Sequence, residues 1–579
     1  MRRVGVLLAV LLLASCAPHE SDRAVPVVLD GWSFGGMVAV ANPYAAEAAA
    51  EVLRAGGHAV DAAIAAHAVL GLVEPQSSGL GGGAFMLVYE RASDQLTAFD
   101  GRETAPAGTH ADMFLENGEP MGFVDAWQSG LAVGVPGTVA LYEASHQAFG
   151  RLDFPTLLAP AIQLAEQGFV VSPRLEGFLK RLQGVGRLSQ NPATAAYFYP
   201  DGQPLSAGDL RDNPAYAQTL SRVAADGPRA FYEGTLAEEI VAAVRAEPNP
   251  GTLALTDLAT YSVARRAPLC APAGSQRVCS MPPPSSGVAQ IMILGLYDRL
   301  IAEADEASDA DRESAFVDAQ RLAYADRDHY VADPDFVAVP INDLVASDYL
   351  DARARQRVDP EAEAQPGDPG AVLRGKPIIQ RWGQDTTQAG AGTTHLSIVD
   401  RFGNAVSMTA TVEAPFGSSR WAGGFLLNNE MTDFAFQPLK GGQPVANTVA
   451  PGKRPRSSMS PVIVFDEHGQ LLMVSGSPGG NSIIAYVAKT LVGVLRWGLT
   501  PQMAVDRANI VARGSTVRVE TGVAGGAPLA TLLGELGYPV EERQGENSGL
   551  HVILVTQDGL QGAADPRREG KVIALPATD

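Results

Sequence analysis

Basic charge is the first thing this sequence is short of. Its 64 acidic residues outnumber 43 basic ones, giving a formal charge of −21 and a pI near 4.9. A nucleic-acid polyanion needs a positive surface, so nucleic acid is excluded as a partner. Cysteine is nearly missing, with three in 579 residues, and the nine histidines are scattered. There is no H-E-x-x-H and no Cys–His cluster, so the sequence offers no metal site and calls for no cofactor. His58 and His67 share a helical segment but stand too far apart to act together, which reads as packing or surface. Long apolar runs are lacking as well. The run Val4–Ala14 is eleven residues, too short to span a membrane. Heptads, short-period repeats and low-complexity blocks are absent, and aromatic residues make up only 7%.

What is present is ample core material and many turns. Apolar residues are 46% of a chain too long for a single ordinary domain, and Gly (61) and Pro (40) are plentiful. The first residues form a targeting segment. Arg2 and Arg3 precede the apolar run, which ends in Leu13-Ala14-Ser15-Cys16. This looks like a bacterial lipobox, with Cys16 as the lipidated first residue after a signal at 1–15 and a tether at 16–30. Ala17, rather than Asp, follows it, which points to the outer membrane of a Gram-negative-type bacterium. The expectation is a periplasmic protein that meets the membrane only through its lipid anchor. A plain secretory signal with an incidental cysteine is the alternative. Cys270 and Cys279 flank a turn-rich loop, and outside the cytoplasm so close a pair reads as a disulfide; two separate buried thiols are the other reading.

Along the chain, Ala45 to Leu72 is helical in pattern with a Gly break, and small residues dominate its faces. A glycine-rich turn leads into strands at 84–90 and 96–103. Residues 135–250 and 290–330 read as helical. The stretch 360–392 is rich in Pro, Gly, Asp and Gln and reads as a mobile surface linker. From Thr393 onward strands alternate with turns, at 395–399, 405–412, 425–428, 462–466 and 471–475. Helices follow at 482–496 and 501–512, then a last strand at 551–556.

Three motifs carry chemistry on paper. Gly79-Leu80-Gly81-Gly82-Gly83-Ala84 fits the dinucleotide pattern, but a helix precedes it and a strand follows, the reverse of what pyrophosphate binding needs. Ser477 has Gly476 adjacent rather than two positions before, so the serine-hydrolase elbow fails. Gly479 and Gly480, after a strand and before a helix, are placed to offer backbone N–H groups to an oxyanion. The third is Ala391-Gly392-Thr393-Thr394-His395, where the linker meets a hairpin. A threonine hydroxyl is a poor nucleophile without a base. If Thr393 loses Gly392, its own α-amine becomes that base, titrating near neutrality. An ordinary buried hairpin is the plain alternative.

At these residues the chain closely resembles the gamma-glutamyltransferase family of N-terminal-nucleophile hydrolases, from about Gly36 to the C-terminus. The resemblance rests on separate stretches: AVANPYAAEAAAEVLRAGGHAVDAAIA, VEPQSSGLGGGAF, DGRETAPA, GVPGT, MPPPSSG, ADRDHYVADPDF, GTTHLSIVD, FLLNNEMTDF, PGKRPRSSMSP and SGSPGG. It implies an α+β fold, a four-layer αββα sandwich built jointly by a large subunit, 31–392, and a small subunit, 393–579. It implies autocatalytic cleavage at Gly392–Thr393, after which Thr393 attacks a γ-glutamyl amide such as glutathione. Water, an amino acid or a dipeptide then takes the acyl group. Thr411 matches the threonine that hydrogen-bonds the nucleophile, and Gly479 and Gly480 match the oxyanion-hole pair. Arg102 matches the arginine that grips the α-carboxylate, a task suited to a planar guanidinium, with a surface ion pair as its plain reading. Ser457 and Ser458 match serines on the same carboxylate. Asp433 and Glu430 match the groups that hold the α-amine.

Two features depart from the family pattern. Glu413 stands where many members carry Asn, which adds a charge near the amine. The segment between Asp433 and Ser457 is short and has no Tyr, which leaves a more open pocket. The rivals are an acylase of the same fold with another acyl donor, of the glutaryl or cephalosporin type, and a silent periplasmic homologue. Asp433 and Glu430 favour a donor with an α-amine.

Overall fold

The computed structural model describes residue 32 and residues 34–302, 307–356, 358–378, 382–385, 387, 390 and 392–577. The expected signal, the tether and Cys16 lie outside the described residues.

Two large sheets face each other. In the seven-stranded sheet the order is Lys571–Ala574, Met37–Val40, Gly392–Val399, Ala405–Glu413, Gly83–Glu90, Gln95–Gly101, Ala264–Arg266. The six-stranded sheet runs Gly559–Ala564, His551–Thr556, Leu471–Gly476, Val462–Phe465, Gln276–Ser280, Leu269–Ala273.

Side-chain alternation assigns the faces. On the first sheet, Val38, Val40, Met86, Val88, Leu396, Ile398, Val406 and Met408 join a core beneath the helices Pro43–Arg54 and Ala59–Val73. Met37, Ala39, Phe85 and Leu87 point the other way and share a core with Val464, Met473 and Val474 of the second sheet. That same core continues to the helices Gly287–Ile301, Asp309–Tyr330 and Ile483–Leu495 on the far side. The layers are therefore helix, sheet, sheet, helix, the expected αββα sandwich. Ala59–Val73 is buried along its whole length, and its many alanines let it lie close to the sheet.

The hairpin read from the sequence closes through Asp400. Its Oδ1 accepts from the N–H groups of Phe402 and Asn404 at 2.8 and 3.0 Å, and Gly403 supplies the positive φ of 81°. The glycine run does not cradle phosphate; it lets backbone pass close. A Cβ on Gly82 would lie 2.0 Å from the Thr411 carbonyl oxygen, and one on Gly81 would lie 2.2 Å from that of Leu426.

Some elements differ from the sequence reading. The helix expected at 501–512 stops at Asp506, and Ile510–Arg513 forms a strand on Thr516–Glu520. Asn509 breaks the helix by bonding Glu520, and the β-branched Ile510 and Val511 then favour extension. The strand at 425–428 is only Phe425–Leu426, because Asn428 turns to bond the backbone of Gly81 and Gly134. Nor is the 360–392 stretch a loose surface throughout: Pro369–Arg374 is a short helix and Asp385 is buried. Cys270 and Cys279 sit opposite each other on the edge hairpin of the second sheet and are bonded.

Candidate active site

The alternation that gives Leu396 and Ile398 to the helix side turns Thr393, His395 and Ser397 toward the second sheet. Thr393 stands at the start of its strand, directly across from Thr411, with a bulge between Gly392 and Thr393. A bulge re-aims the residues beside it. The Thr411 hydroxyl is the hub of the arrangement. It donates to the Gly392 carbonyl at 2.7 Å and accepts from the Glu413 N–H at 2.8 Å. Its oxygen lies 3.1 Å from Thr393 Oγ1. Since its one proton points at Gly392, the remaining contact is a donation from Thr393. The nucleophile candidate is thus bonded to a group that also polarises the adjoining carbonyl.

Arg102 directly follows the strand Gln95–Gly101 and is fully buried, so the surface ion pair is ruled out. Its guanidinium meets Glu430 Oε1 through Nη1 and Asp433 Oδ2 through Nη2, the latter at 2.5 Å. Nε donates to the Pro455 carbonyl at 3.3 Å. The short 3₁₀ turn Glu430–Asp433 brings both acids to one place. Glu413, Glu430, Asp433 and Arg102 line one small cleft with Thr393, Thr411, Ser457, Ser458, Gly390 and Gly480. The sequence-predicted residues therefore converge, save Gly479, which sits just behind the cleft against the Tyr486 ring.

The acids outnumber the cation, and their protonation reflects it. Burial raises the Glu413 carboxyl to about 8, helped by Asp433, while hydrogen bonds from Gly390, Asn429 and Thr432 work the other way. Burial pushes Glu430 well up too; Arg102 opposes this, and Glu103, Asp433 and Glu413 add to it. Arg102 is held more firmly protonated than usual: burial alone would lower it, but Glu430, Asp433 and Glu103 outweigh burial. Asp433 Oδ1 is buried with no hydrogen-bond partner among the described residues. A buried bare carboxylate oxygen of this kind is a place for a donor such as an ammonium.

Gly479 and Gly480 have φ of 136° and 58°, conformations that glycine adopts without strain, and they join the strand Leu471–Gly476 to the helix Ile483–Leu495. Ser477 is a buried loop brace that donates to the Pro478 carbonyl. Ser458 Oγ accepts from Arg327 at 2.8 Å and donates to Asn481 at 3.2 Å. The Ser457 hydroxyl accepts from the Met459 N–H at 3.1 Å. His67 is a packing residue, bonded to the Tyr142 hydroxyl at 2.6 Å.

Sequence reasoning missed the supporting groups. Arg568 is buried and its Nη1 donates to the Thr393 carbonyl at 2.8 Å. Arg327 bridges Ser286 and Ser458. Asn429 and Thr432 hold Glu413. Arg568 lies in none of the stretches quoted above; Arg327, Asn429 and Thr432 lie within ADRDHYVADPDF and FLLNNEMTDF, but their contacts arise only in the fold.

The gamma-glutamyltranspeptidase family model matches residues 45–575. The chain is 34% identical to the glutathione hydrolase proenzyme of Bacillus subtilis (strain 168), over 98% of this chain and 97% of that one. It is 35% identical to the glutathione hydrolase proenzyme of Escherichia coli (strain K12), again over 98% and 97%. Among solved structures it is similar to the cephalosporin acylase of Bacillus halodurans, with a TM-score of 0.80 and 25% identity over 98% of this chain and 100% of that one. The chain belongs to the gamma-glutamyltranspeptidase family, enzymes built on the N-terminal-nucleophile hydrolase fold.

Proposed function

We propose that the chain cuts itself at Gly392–Thr393 and that the freed Thr393 carries γ-glutamyl groups from compounds such as glutathione to water or an amine. One observation carries this reading: the Thr411 hydroxyl joins Thr393 Oγ1 to the Gly392 carbonyl. In the uncut chain, Thr393 Oγ attacks the Gly392 carbonyl carbon while Thr411 donates to its oxygen. The C–N bond breaks, nitrogen takes the proton, and water then hydrolyses the ester. The small subunit begins at Thr393 and the large subunit ends at Gly392.

In the second reaction the Thr393 α-amine takes the hydroxyl proton and Oγ attacks the γ-carbonyl of the donor. Gly479 and Gly480 offer N–H groups to the oxyanion. The donor's zwitterionic head suits the ion-pair cluster. Its carboxylate goes to Arg102, with Ser457 and Ser458 beside it, and its ammonium goes to Asp433, Glu430 and Glu413. Inserting a zwitterion leaves the net charge of the cluster unchanged. A glutaryl group brings the carboxylate without the ammonium and leaves the acids facing each other. The acylase reading draws support from the fold shared with the cephalosporin acylase. A γ-glutamyl anilide tested against a glutaryl anilide decides: the account expects release from the first at least a hundredfold faster, and equal rates would favour the acylase. Lipidation at Cys16 stays part of this proposal, and the mass of the mature N-terminal peptide from cells reads it directly.

A further inference from the structure

The strand Leu269–Ala273 is one outer edge of the second sheet, and it pairs with Gln276–Ser280 across the turn Gly274-Ser275. Alternation buries Leu269, Ala271 and Ala273 and turns Cys270 and Pro272 the other way, where they are more exposed. The register sets Cys279 opposite Cys270 and Arg277 opposite Pro272. The two bonded sulfurs and the Arg277 guanidinium therefore share one face at the rim of the sheet. Cys279 is fully buried there, whereas Cys270 is only partly covered.

Arg277 is placed to act on that bond. Its Nη1 lies 4.0 Å from Cys270 Sγ and 3.8 Å from Cys279 Sγ. Its guanidinium carbon sits 4.2 Å from the centre of the Phe465 ring, and it forms no ion pair among the described residues. A cation held against two sulfurs, with no carboxylate to neutralise it, stabilises a thiolate at that place. A disulfide opens faster when its departing sulfur leaves as a stable thiolate. Cys279 is the sulfur nearer the cation and the one that solvent cannot reach. It is the leaving group, and Cys270 is the point of attack.

We propose that Cys270–Cys279 is an exchangeable bond that takes up small anionic thiols, Cys270 forming a mixed disulfide while Arg277 attracts the incoming anion and holds the departing thiolate. The incoming thiolate attacks Cys270 Sγ, and a new S–S bond forms there. The bond to Cys279 breaks, and its electron pair stays on Cys279 Sγ beside Arg277. One disulfide is exchanged for another, so no outside oxidant is consumed. The hairpin keeps its backbone pairing, so Cys279 remains opposite Cys270 and reverses the step by attacking the mixed disulfide. Compounds such as glutathione carry both a thiol and carboxylates, but the proposal stands apart from the γ-glutamyl reading.

The experiment treats the folded protein with 2-mercaptoethanesulfonate or cysteamine, thiols of similar size and opposite charge. At timed points the protein is alkylated in denaturant, and labelling of the Cys279 peptide reports the opened bond. Per thiolate, the sulfonate is expected to open it about two- to fivefold faster than cysteamine, as befits an exposed cation. Arg277→Gln should remove that preference and slow the sulfonate by about threefold or more, because the departing thiolate loses its cation. Arg277→Lys keeps the charge and should keep the preference. Thermal unfolding of each variant checks that it folds. A bond that stays closed to both thiols until denaturant is added is a structural staple alone, and overturns the proposal. Equal rates with the two thiols, or a preference unmoved by Arg277→Gln, overturn it as well. Neither thiol carries a γ-glutamyl group, so failure of the γ-glutamyl reading would leave this test and its outcome intact.

Discussion

Arg102 sets the character of the site at the level of single residues. It is the cation among Glu103, Glu413, Glu430 and Asp433, and it is buried. Removing one member of a buried ion pair leaves the others uncompensated, so Arg102→Ala should lose about 3–5 kcal/mol in urea unfolding. Arg102→Lys keeps the charge but loses the planar fork. It should fold and raise the KM for a γ-glutamyl donor by about tenfold or more, read by steady-state kinetics. Glu413 gives a pH prediction for the uncut Thr393→Ala chain. Burial pushes its folded carboxyl up to about 8 from the ordinary 4.5. The folded state therefore binds more protons than the unfolded state between these values. The stabilisation is full below 4.5 and is lost as pH rises toward 8. Thr393→Ala/Glu413→Gln should show a flatter stability curve over that window. An unchanged slope would mean that Glu413 is ionised like an ordinary carboxyl.

At the level of elements, the approach of the glycine run to the strand Ala405–Glu413 holds Thr411 in place. Gly82→Ala puts a methyl group where the Thr411 carbonyl stands, so the strand must shift. Overpacking of this kind costs about 1–3 kcal/mol. The expected result is a lower Tm and a smaller fraction of cut chain, both read on purified protein. A fully cut Gly82→Ala protein would show that the strand position does not govern processing. The hairpin around Asp400 and the strand–turn–helix around Gly480 were legible because local alternation and turn chemistry specify them. The strand Ile510–Arg513 was not, since the short periodic run 501–512 looks helical until Asn509 finds Glu520, eleven residues on. In the site, Arg102, Asp433 and Thr393 were legible through their resemblance to a family. Arg568 was not, because a buried arginine bonded to backbone carbonyls leaves no local pattern, and the role of Arg327 was not, because its serine partners lie far away in the chain.

Across the whole molecule, the proposed subunits interleave. Met37–Val40 lies between Lys571–Ala574 and Gly392–Val399, so a large-subunit strand sits between two from the small subunit. In the other sheet, Val462–Phe465 pairs with Gln276–Ser280 across the same division. The hydrophobic cores on both sides of the first sheet also draw on both parts. Cutting one peptide bond removes none of these contacts. The account therefore predicts a single species in native mass spectrometry and two in denaturant. Two pieces that separate without denaturant would contradict the interleaved sheet. The central claim is that Thr393 becomes an N-terminal nucleophile by its own hydroxyl. Denaturing intact mass of the purified protein beside Thr393→Ala tests it most directly. The account predicts two chains in the parent, the smaller beginning at Thr393, and one uncut chain in the variant. One uncut chain in both would contradict it, because Thr393 would then never gain the amine that its chemistry requires.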